Sequence, residues 1–139
     1  MGGDEAVTSS VGLVAGIGFR RGTGAAEIAA LVRRALAEAG RGAGLACLAT
    51  ALDRAGDAAF AGAARDLGVP GRGAGPDALA AVDAGCLTRS ARIERLRGVG
   101  SLAEAAALAL AGPGSRLLGA RIASAGATCA LAAIEAEAL

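Results

Sequence analysis

The chain has 139 residues and a formal net charge of +1, which allows one domain around one core and excludes polyanion binding by bulk charge alone. It holds no His, Trp, Tyr or Lys. That removes the commonest general base and metal ligand, the aromatic platforms for single-stranded nucleic acid, and the P-loop lysine.

Hydrophobic residues make up 54% of the chain, but the aromatics are Phe19 and Phe60 alone. The core must be built from Leu, Ile, Val and close-packed Ala. Residues 1–9 lack a basic region and a long apolar run, and read as a disordered leader ahead of a single domain over 10–139. "VGLVAG" (11–16) predicts a short buried strand. "GIGFRRGTGAAEI" follows, and from about residue 25 to 39 Ile28, Leu31, Val32, Ala35 and Leu36 form one apolar helical stripe. Gly24 is a candidate N-cap with Glu27 at the third helical position, and Gly40 stops the helix.

"LACLAT" (45–50) predicts the second strand and residues 53–67 the second helix, with Phe60, Ala64 and Leu67 inward. Val69-Pro70 begins a brief edge strand. A glycine-rich loop leads to a short helix opened by Pro76 and Asp77. Residues 87–96 are polar and Arg-rich and read as a loop that could include a short helix. Ser101-Leu102-Ala103-Glu104 matches a capping box, in which the Ser hydroxyl accepts from the Glu104 amide and the Glu carboxylate from the Ser101 amide. Its helix ends near Ala111. Two strands, 117–122 and 128–134, flank a turn at Ser124–Gly126. No stretch is long and apolar enough to span a bilayer. Strands alternating with helices predict an α/β fold, a three-layer α/β/α domain with a small, mostly parallel or mixed sheet.

The cysteines (Cys47, Cys86, Cys129) are far apart, which suits reduced thiols in a cytoplasm and not a disulfide or metal framework. Cys47 and Cys129 read as small buried hydrophobes.

The glycine loop is not a dinucleotide fingerprint. Gly16, Gly18 and Gly22 are spaced G-x-G-x-x-x-G, one residue too long, and no clear acidic residue sits at the end of the second strand, Asp53 lying too far on. Its free amides at a helix start, with Arg20 and Arg21, suit a carboxylate or phosphate. A tight turn with two solvated cations explains the same residues. A second junction, "GVGSLAE", presents the same elements, and the two could face one crevice beyond the strand ends. Of the two arginines, Arg21 lies nearer the helix start and is the one expected to face it. Glu104 is either a cap or an acid/base group.

Taken together, "GIGFRRGTGAAEI", "GVGSLAEAAAL" and "GARIASAGATCALA" resemble the CobE / CbiG C-terminal-domain family of cobalamin biosynthesis, over about residues 11–133. The resemblance implies a role in corrin-ring synthesis and a precorrin- or corrin-type small molecule as ligand. Matching positions are Gly16, Gly18, Arg20, Arg21, Gly22 and Thr23 in the loop, Ser101, Ala103 and Glu104 in the second motif, and Thr128 and Ala130 in the last strand. Arg54, Asp57 and Arg121 stand where the family usually has Lys, Glu and Lys, and Phe19 replaces a usual Cys.

In the larger members this domain follows another that is associated with lactone opening and release of a two-carbon fragment. This chain resembles the stand-alone form. Three functions follow: a tetrapyrrole binder; an enzyme using Glu104 or Asp57; or a docking module for other cobalamin-pathway enzymes through residues 88–97. No cofactor, protein-bound metal, nucleic acid or membrane is implied, and the cytoplasm is the expected location.

Overall fold

The computed structural model describes residues 12–40 and 44–134; the leader expected over residues 1–9 and the residues after Ile134 lie outside them. The elements are β1 (Leu13–Phe19), α1 (Ala25–Glu38), β2 (Leu45–Ala51), α2 (Ala58–Leu67), β3 (Gly71–Ala74), α3 (Pro76–Ala81), α4 (Ala91–Arg97), α5 (Leu102–Ala111), β4 (Arg116–Leu117), β5 (Ile122–Ala123) and β6 (Ala127–Ala133). The sheet runs β3-β2-β1-β6-β4, with β5 also paired to β6. β1, β2 and β3 are parallel, while β6 runs antiparallel to β1, β4 and β5. The sheet is therefore mixed, in a three-layer α/β domain.

Two cores sit on its two faces. On one, Leu13, Ala15, Ile17, Cys129 and Leu131 meet Ile28, Val32 and Phe60 of α1 and α2. On the other, Val14, Cys47, Ala49 and Ala132 meet Leu102, Ala105, Ala106 and Leu108 of α5 and Leu79 of α3. The alternation along β1 follows the two-residue period of a strand. It puts the glycines at 16 and 18 on the α5 side. A Cβ at Gly16 would lie 2.6 Å from the Ala107 amide nitrogen, so only glycine lets α5 approach this closely. Residues 101–108 are all buried, Ser101 and Glu104 among them.

Several boundaries differ from the sequence expectation. β1 continues through Ile17, Gly18 and Phe19, because β6 pairs with it without interruption from Leu13↔Ala133 to Phe19↔Ala127. Gly16 and Gly18 thus belong to the strand and not to a loop. The helix expected from residue 53 begins at 58; a short 3-10 turn (Leu52–Arg54) precedes it, and Asp57, in extended conformation, is its N-cap. The edge strand lies at 71–74 instead of 69–70, with Leu48 facing Gly71. The Arg-rich segment contains α4, capped by the Ser90 hydroxyl, which accepts from the Ile93 amide at 3.3 Å. The strand expected over 117–122 is split into β4 and β5. At the break, the Arg121 N–H donates to the Glu104 carboxylate at 2.9 Å.

Candidate functional site

Parallel strands send their chain exits to one edge of a sheet, where α/β proteins bind ligands. Here β1 exits into Arg20–Gly24, β2 into Leu52–Asp57 and β3 into Gly75. α5 begins at the same edge, since a Cβ on Gly18 would lie 3.9 Å from Leu102 Cβ. The two glycine-helix junctions therefore stand on opposite faces of the sheet beside the end of β1.

The glutamate in each junction has the same unexpected task. Glu27 does not cap its own helix. Its carboxylate accepts the Ser124 hydroxyl and the Gly126 N–H, the latter at 2.6 Å, and these bonds hold its pKa below the ordinary value. Glu104 is fully buried. Half of the expected capping box forms: the Ser101 hydroxyl accepts from the Glu104 amide at 3.2 Å. The carboxylate, however, turns away from the Ser101 amide to other segments. Oε1 accepts from the Leu87 and Thr88 amides at 2.7 and 2.8 Å. Oε2 accepts from the Thr88 hydroxyl at 2.7 Å and from the Arg121 amide. A buried carboxylate supplied with four donors is a clamp joining three distant segments. One glutamate from each face thus grips the β5–β6 hairpin.

The opening loop rests on the same hairpin. Arg20 N–H and Thr23 Oγ1 both donate to the Gly126 carbonyl, at 2.9 and 3.0 Å. Gly22 has φ +88°, and a side chain there would meet open space. Thr128 Oγ1 points toward the Gly18 carbonyl at 3.5 Å. Arg20 and Arg21 are both exposed. Their guanidinium groups, and that of half-exposed Arg121, have no hydrogen bond or ion pair within the described residues.

Arg54 differs: it pairs with Asp57 at 2.7 Å, donates to the Phe19 carbonyl at 3.0 Å and lies 4.0 Å from the centre of the Phe19 ring. Phe19 in turn stacks on Phe60, with ring centres 6.3 Å apart. The chain thus brings Gly18, Arg20, Arg21, Gly22, Thr23, Arg54, Asp57, Ser101, Glu104, Arg121 and Thr128 to one edge. Gly16 lies deeper, under α5.

Sequence reasoning missed three participants. Thr50, fully buried, donates to the Ile17 carbonyl at 2.8 Å and ties the ends of β1 and β2 together. Thr88 gives Glu104 two donors. Asp83 accepts the Gly100 N–H at 2.8 Å and pairs with Arg89 at 3.1 Å; Arg89, then the Gly100 amide, lower its pKa. None carries a local pattern, although a buried Thr at a strand's end is a signal worth noticing.

Among the described residues no group of three His, Cys, Asp or Glu could hold a metal, and no helix is long and apolar enough to cross a membrane. An apolar groove of about 430 Å³ lies at the far end of α5, between Ala78, Val82, Leu108 and Gly112. It contains none of the residues above.

The architecture is that of a small mixed-sheet α/β domain whose parallel-strand exits form an Arg-bearing edge. The family described as "Cobalamin synthesis G C-terminus" matches residues 13–132, and the chain belongs to it. Among solved structures, CobE, described as a protein from the cobalamin (vitamin B12) biosynthetic pathway, is 38% identical. It has a TM-score of 0.85 and covers 92% of this chain and 94% of its own. Cobalamin biosynthesis protein chiG from Agrobacterium tumefaciens is 36% identical, with a TM-score of 0.70, covering 86% and 96%. A cobalamin biosynthesis protein G homolog from Sulfolobus solfataricus (23% identity, TM-score 0.66) covers 90% of this chain but only 37% of its own length. At that identity the likeness shows the fold alone. No curated protein sequence matches.

Proposed function

We propose that this protein works in cobalamin biosynthesis by binding a precorrin-type tetrapyrrole at the carboxyl edge of its sheet. The observation that carries the reading is the pair Arg20–Arg21. Two adjacent guanidinium groups stand at the start of α1, exposed and without a partner among the described residues. Nearby acids are engaged: Asp57 by Arg54, Glu27 by the hairpin and Glu104 by its four donors. Precorrins carry acetate and propionate carboxylates around an apolar ring, and arginine forks suit such groups. The Gly24 cap leaves the first-turn amides of α1 without a side-chain partner, so the helix dipole adds to the attraction.

The role is binding, delivery or assistance. A general acid or base must reach its substrate, whereas Glu104 is enclosed and Asp57 is tied to Arg54. The free thiols suit a reducing cytoplasm.

Titration of the purified protein with hydrogenobyrinic acid, followed by visible absorption, tests the reading. The expected result is a saturable spectral change that weakens with salt and is lost in the R20A/R21A double variant. No spectral change at micromolar protein rejects it.

A further inference from the structure

Three large apolar side chains are exposed among the described residues: Leu52 (61%), Leu87 (61%) and Leu96 (63%). All three belong to segments fastened to the carboxyl edge. Leu52 directly follows β2. The next residue, Asp53, is bridged by Arg97 at 2.8 Å, which brings the end of α4, and with it Leu96, to the exit of β2. Leu87 is held beside the first turn of α5, because its amide donates to Glu104. The Ser90 N–H, at the start of α4, donates to the Gly100 carbonyl just before α5 at 2.8 Å, closing the same region. Large apolar groups left exposed along one edge, among described residues whose other leucines are all wholly or partly buried, call for a cover.

The charges around them indicate its chemistry. The acids of these segments are spent: Asp53 on Arg97, Asp57 on Arg54, and Asp83 and Glu94 on Arg89. Asp77, exposed at the start of α3 beside the edge strand, is the exception. The cations are not all spent. Arg92 and Arg95 on α4 join Arg20 and Arg21 in having no partner within the described residues. The surface is thus apolar with a surplus of positive charge, the complement of a flat hydrophobic ring fringed with carboxylates.

We infer that Leu52, Leu87 and Leu96 form the platform on which the face of a polycarboxylate macrocycle rests, with the unpaired arginines meeting its rim. The inference rests on the binding reading above and adds the source of ring recognition. Carboxylates alone would not distinguish a tetrapyrrole from any small polyacid, whereas apolar contact with the ring does.

The test is hydrogenobyrinic acid titration of wild type and of L52S, L87S and L96S at low and high salt. Unfolding midpoints verify folding, and Leu→Ala replacements serve for any serine variant that folds poorly. Each variant is expected to weaken binding about five- to tenfold while the salt dependence stays that of wild type. R20A/R21A is expected to flatten the salt dependence instead. Wild-type affinity in all three leucine variants, with wild type itself binding, overturns the platform and leaves the arginine reading standing. Failure of wild type to bind overturns both.

Discussion

The carboxylate of Glu104, in the first turn of α5, accepts the backbone N–H of Arg121, 2.9 Å away and 17 residues along the chain. That bond takes the Arg121 amide, and the strand expected over 117–122 is split into β4 and β5. The same carboxylate holds Leu87 and Thr88. Its loss should therefore be felt in three segments at once. We expect E104A to cost about 3 kcal/mol or more, since it leaves buried N–H groups unsatisfied beside a cavity. E104Q keeps one accepting oxygen and is expected to cost about 1–2 kcal/mol. Urea unfolding measures both. An E104Q protein of wild-type stability that has lost only its biological activity would instead favour an acid/base role.

Gly16 and Gly22 belong to one motif but are expected to respond differently. A Cβ at Gly16 would press on the backbone of α5, so G16A should cost about 3 kcal/mol or more. At Gly22 the space is open and only the φ of +88° resists, so G22A should cost about 1 kcal/mol. Denaturation midpoints of equal size would contradict the close packing of α5 on β1.

The arginines also separate. The guanidinium groups of Arg20 and Arg21 have no partner among the described residues, and their replacement by Ala should change stability by less than about 0.5 kcal/mol while weakening ligand binding. Testing each alone shows which faces the ligand. Arg54 joins Asp57, the Phe19 carbonyl and the Phe19 ring, and R54A should lose about 1–2 kcal/mol. Thermal melts beside binding titrations distinguish the two kinds.

The three thiols should label in a fixed order. Cys129 is buried and its pKa is pushed up to about 12 by desolvation. Cys47 is buried and also raised by desolvation. Cys86 is half-exposed, raised by burial, with its Sγ near the Ser101 carbonyl. Native protein at mildly alkaline pH should therefore react first and slowly at Cys86, with the other two appearing on unfolding. Mass mapping of an alkylated sample checks this; early labelling of Cys129 would contradict the core on the α1 face.

Acid should destabilise the domain through Asp83 and Glu27. Both carboxylates have folded pKa values below their ordinary ones, Asp83 chiefly through Arg89 and Glu27 chiefly through Ser124. A depressed folded value contributes stability above the unfolded pKa and loses it as pH falls through the folded value. The gap in unfolding midpoint between wild type and D83N should be full near neutral pH and shrink below about pH 4. A gap independent of pH would mean that Asp83 acts by shape and not by charge.

The sequence by itself determined the class of fold, the stripe of α1, the extent of α5, the Ser101 cap and the family. Each is written in residues close together: apolar spacing of three and four, a Ser three residues before a Glu, glycines around two arginines. The tertiary structure alone decided where the charges go. Local rules direct Glu27 and Glu104 to their own helix starts. Each instead found better-placed donors on segments distant in sequence, Glu27 at Ser124 and Gly126, Glu104 at Leu87, Thr88 and Arg121. Likewise, Arg54 is committed to Asp57 and Phe19, while the guanidinium groups of Arg20 and Arg21 have no partner among the described residues. Capping and pairing compete by geometry, and geometry between remote segments exists only once β6 has paired with β1 and α5 has settled on Gly16.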